Sequence, residues 1–86
     1  MATEKHDAWM AAQIRACDRV MSAHRADPES EEYRFARDTY NLLISASTHL
    51  CVATLNRISD GTQTELKGCG KYEPLLDNLR MLRLMQ

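Results

Sequence analysis

"ADPESEEY", residues 26–33, decides how this chain is divided. Proline is excluded from helix interiors but favoured at the first helical position. Pro28 therefore separates two helical stretches. Asp27 stands where an N-cap belongs, and Glu29, Glu31 and Glu32 place negative charge at the positive end of the next helix. This predicts a first helix ending near residue 26, a second starting at 28, and a connection so short that the two lie as antiparallel neighbours.

Upstream, residues 4–26 read as that first helix. Met10, Ile14, Cys17, Met21 and His24 recur at steps of four, three, four and three, one stripe of a helix. Trp9 and Val20 widen the apolar face. Alanines supply helix propensity, Thr3 is placed to cap, and Asp7 favours the dipole.

Downstream, the second helix is predicted over 28–59. Tyr33, Ala36, Tyr40, Leu43, Ser47, Leu50 and Thr54 follow a coiled-coil-like spacing. Ile44, Cys51, Leu55 and Ile58 form a further row. The resulting apolar arc is wider than one partner helix covers. Gly61, after "SD", suits the left-handed position beyond a helix end. Residues 60–72 read as a polar loop, in which Gly68 and Gly70 supply freedom to turn.

A last helix is predicted over 73–85, with Pro74 at its first position. Leu75, Leu76, Leu79 and Leu82 share one face, while Met81, Leu84 and Met85 share another. The fold expected is all-α, a single domain over 1–86: a long antiparallel helical hairpin plus a short C-terminal helix, completed by self-association.

Composition narrows the setting. A domain of 86 residues has a thin stability margin. The net charge of −1 gives no strong field for nucleic acid or an anionic membrane. The start, "MATEKHDAWMAAQ", has no secretory apolar core, and no apolar run approaches the ~20 residues of a membrane span. Three widely spaced cysteines fit reduced thiols better than a disulfide framework. A bacterial or phage cytoplasm is the expected location.

Candidate chemistry is sparse. Cys69, between two glycines and near Lys67 and Lys71, is the candidate reactive thiol, although the glycines alone explain a turn there. Cys17 and Cys51 fall on apolar arcs and are expected to be buried. Cys17, His24, His49, Cys51 and Cys69 are donor types for zinc, but none has a partner at metal-ligand spacing on a shared face, and no metal or cofactor is expected. Arg15, Arg19, Arg34 and Arg37 are anion-contact candidates, yet acids near each pair favour solvated ion pairs. Tyr33, Tyr40, Met81, Leu84 and Met85 are the interface candidates. No phosphate loop, di-iron pattern or nucleophile–base motif is legible, so an enzyme is not expected.

The expected function is protein–protein interaction, as a small regulator, adaptor or inhibitor that works as a homo-oligomer or with a protein partner. An oligomeric binder of a small anionic or nucleotide-like ligand is the alternative. A helical nucleic-acid binder is the third, and the missing basic excess argues against it.

Overall fold

A computed structural model of the protein describes residues 5–86. Thr3, the expected first cap, lies outside the described residues. Four α-helices and one 3-10 turn make up the regular structure: α1 (Lys5–Ala23), α2 (Glu31–His49), α3 (Val52–Ser59), the turn Gly70–Tyr72, and α4 (Leu75–Leu84). No strand occurs among the described residues. Helix α1 packs against all three others, and α2 also packs against α4.

The first junction lies later than Pro28 suggests. Asp27 and Ser30 close a turn through Ser30 N–H donating to the Asp27 carbonyl at 3.0 Å. The cap of α2 is Ser30, whose hydroxyl accepts from the Tyr33 amide at 3.2 Å. Helix α2 thus starts at Glu31, with Glu31 and Glu32 in its first turn. Asp27 and Pro28 belong to the turn, not to the helix.

The single helix expected over 28–59 is two helices. Leu50 and Cys51 are extended, with ψ near 148° and 154°. The turn before the break is dense in side chains that fold back onto the backbone. Ser47 and Thr48 hydroxyls donate to the Ile44 carbonyl at 2.7 and 3.2 Å, and His49 Nδ1 lies 2.8 Å from the Ser45 carbonyl. Side chains that return to the backbone in this way offer an alternative to the helical ladder. The ladder closes with Leu50 N–H to Ala46 carbonyl at 2.8 Å, and α3 then restarts beyond Cys51.

The loop after α3 is less polar than its sequence. Gly61, Gly68 and Gly70 all have positive φ (81°, 82° and 61°), so the chain reverses at each where a side chain would be strained. Between them Leu66 drops into the core, followed by Tyr72. The core gathers Cys17 and Val20 of α1, Ala36, Leu43 and Ala46 of α2, Ile58 of α3, and Leu75, Leu76, Leu79 and Leu82 of α4. Pro74 is the residue before α4, one position earlier than expected.

Candidate functional site

Apolar surface is left uncovered singly at Ile44 of α2 and Val52 of α3, and as a group of three along the outward edge of α4. Helix geometry sends Leu75, Leu76, Leu79 and Leu82 inward, all buried. The same periodicity sends Met81, Leu84 and Met85 outward, at 53%, 80% and 38% exposure. The C-terminal end of α4 is fixed against α1. Arg83 Nη1 donates to the Oε1 of buried Gln13 at 2.8 Å, and Arg19 reaches Gln86 at 3.2 Å. These links set how α4 is rotated, and therefore which side chains face out.

Beside this edge runs the start of α2. Met81 and Met85 form one wall of an open cleft of about 290 Å³, and Phe35 of α2 forms the other. Glu31 and Glu32 complete it, so its floor is apolar and its charged rim is wholly acidic. Neither glutamate carboxylate has a hydrogen-bond or ion-pair partner among the described residues. Asp77 and Arg80, a turn away on α4, pair with each other.

The other interface candidates lie elsewhere. Tyr33 is half-buried beside Asp18, Met21, Ser22 and Arg25. Tyr40 is half-buried against the core. The arginine candidates do not converge either. Arg15 and Arg19 border a shallow cleft on α1 with Asp18 and Ser22. Arg34 and Arg37 lie on α2, where Arg37 pairs with its neighbour Asp38 at 3.3 Å. No hydrogen bond or ion pair among the described residues joins the two pairs.

The cysteines separate into three environments. Cys17 is fully buried, and burial, with the charge of Asp18 second, raises its thiol from 9.0 to about 11. Cys51 is exposed, which corrects the expectation of burial. The break at Leu50 turns it off the apolar arc and leaves it just ahead of α3. There Thr54 Oγ1 lies 3.1 Å from its sulfur, and that side-chain contact, followed by the Thr54 amide, lowers the thiol pKa. Cys69 is half-buried and packs against the core. Cys51, not Cys69, is therefore the more accessible thiol. No three His, Cys, Asp or Glu side chains among the described residues are grouped to hold a metal.

One polar cluster invites a catalytic reading. Ser45 Oγ lies 2.7 Å from the Tyr72 hydroxyl, which lies 3.2 Å from His49 Nδ1. The Ser45 carbonyl 2.8 Å from Nδ1 settles the proton's place. A carbonyl only accepts, so Nδ1 donates to it and has no lone pair with which to act as a base for Ser45 or Tyr72. The cluster clasps the end of α2 to the 3-10 turn, and the His49 and Tyr72 rings stack with centroids 6.4 Å apart. Sequence reading missed the clasp because its residues are 27 positions apart.

No helix among the described residues is long and apolar enough to cross a membrane. No family model, curated protein or solved structure matches this chain.

Proposed function

We propose that this protein is a docking module, a small regulator, adaptor or inhibitor that contacts another protein chain through the outward edge of α4. The observation that supports this is the joint exposure of Met81, Leu84 and Met85 on a helix whose opposite face is fully packed. Contiguous apolar surface of this kind marks contact sites in soluble proteins. Methionine, flexible and polarisable, is favoured on surfaces that adapt to a partner. The bound chain is a protein partner or a second copy of this chain.

Native mass spectrometry of protein purified from its own host tests this reading. The wild-type chain is expected to carry an additional polypeptide. The double variant Leu84→Lys/Met85→Lys is expected to lose it while keeping its helical circular dichroism. Identical masses for the two proteins would refute docking through α4.

A further inference from the structure

We infer that the cleft between α2 and α4 receives a basic amphipathic helical segment of a partner protein, an inference that rests on the docking role of α4. Three features carry it.

The first is charge. Glu31 and Glu32 stand on the rim with no ion-pair partner among the described residues, and no basic side chain lines the cleft. Both carboxylates benefit from the N-terminal dipole of α2, but that leaves their outward oxygens free for a cation. Opposite charge across an apolar contact steers encounter and fixes register.

The second is shape. Phe35 on one side and Met81 and Met85 on the other leave about 290 Å³, room for one or two large apolar side chains of an inserted ridge. A helix laid in a groove presents such anchors at positions i, i+3, i+4 and i+7.

The third is size, which separates a segment from a second copy. The exposed edge offers roughly a few hundred Å², against the ~800 Å² per partner of a standard stable interface. Both cations of this chain's own α4 are already engaged within the same molecule. Arg80 is paired with Asp77, and Arg83 is bound to Gln13.

The test is selection of random 16-residue peptides, displayed on phage, against the full chain. The expected winners carry net positive charge and apolar residues at helical spacing. A representative winner, made synthetically, should bind the Glu31→Gln/Glu32→Gln variant at least tenfold more weakly and show less salt dependence with it. The Glu31→Lys/Glu32→Lys variant should select acidic peptides instead. Circular dichroism confirms that each variant keeps its helices, so that a weakened start of α2 is not mistaken for lost charge.

Winners that lose binding to Leu84→Lys/Met85→Lys yet show no basic bias would leave docking standing and overturn this inference. Winners indifferent to Leu84→Lys/Met85→Lys, or no winners at all, would overturn both. A wild-type dimer that becomes monomeric on that double substitution would overturn the inference in favour of a second copy.

Discussion

The two faces of α4 are made of similar material and meet opposite fates. Leu75, Leu76, Leu79 and Leu82 are buried, whereas Met81, Leu84 and Met85 are among the most exposed large apolar residues described. Hydrophobicity alone does not separate them. What does is the rotation of the helix, fixed by Pro74 and the 3-10 turn at one end and by the Arg83–Gln13 bond at the other. The inner face is uniformly leucine, which packs in defined rotamers. The outer edge is mostly methionine, which adapts. A ten-residue helix thus divides its apolar content between holding the fold and offering a surface.

Substitutions on the inner face should give the largest effects. Leu79→Ala leaves a cavity where the side chain is buried and should cost about 2–5 kcal/mol. A domain of this size has ~5–10 kcal/mol in total, so Leu82→Ala together with Leu79→Ala should leave it largely unfolded. Urea titration, followed by the fluorescence of the single tryptophan Trp9, measures this. A loss below about 1 kcal/mol for Leu79→Ala would erase the distinction between the faces.

Cys17 extends the contrast to pH. Its folded-state pKa, about 11, lies above the ordinary 9.0, so the folded chain favours the neutral thiol. The stability involved is full below pH 9 and is lost as pH rises from 9 towards 11, by an amount of order 3 kcal/mol at ~1.4 per unit. Comparing the wild type with Cys17→Ala across that range separates this loss from tyrosine and lysine titration. Parallel curves for the two proteins would contradict the burial of the thiol. Under native conditions a thiol reagent should modify Cys51 first, Cys69 next and Cys17 last.

Smaller effects sharpen the comparison. Thr39 is buried, and its hydroxyl has no hydrogen-bond partner among the described residues. Thr39→Val keeps the shape and removes the unpaired group, so it should stabilise by about 1 kcal/mol. At the low end, Leu84→Lys/Met85→Lys should change stability by no more than about 0.5 kcal/mol, as for exposed positions away from structural features.

The hydrophobic stripes carried much of this architecture in legible form. The helical character of the chain, the inner leucines of α4 and its exposed edge all follow from spacing. The position of Gly61 follows from its lack of a side chain. The break at Leu50–Cys51 does not follow from spacing, because the apolar period runs on across it. Its local signal was chemical: Ser45, Ser47, Thr48 and His49 crowd into the last turn of α2, and the side chains of Ser47, Thr48 and His49 bond back to the backbone there. That break moved Cys51 from an expected core position to the surface. Leu66 was hidden for a related reason, since an isolated leucine in a polar loop has no period to reveal it. The acidic rim was visible only as helix capping. Its place beside Met81 and Met85 depends on α2 meeting α4, a contact between residues some fifty positions apart.

The most direct test of the outward edge as a docking surface is a methyl spectrum of protein carrying carbon-13 on its methionine methyl groups. It is recorded in buffer and then in clarified lysate of the source cell. Met10 and Met21 pack against the core from α1, while Met81 and Met85 stand on the exposed edge of α4. A docking edge requires that the Met81 and Met85 signals shift or broaden in lysate while those of Met10 and Met21 hold their positions. Unchanged Met81 and Met85 signals, or four signals that respond alike, would contradict it.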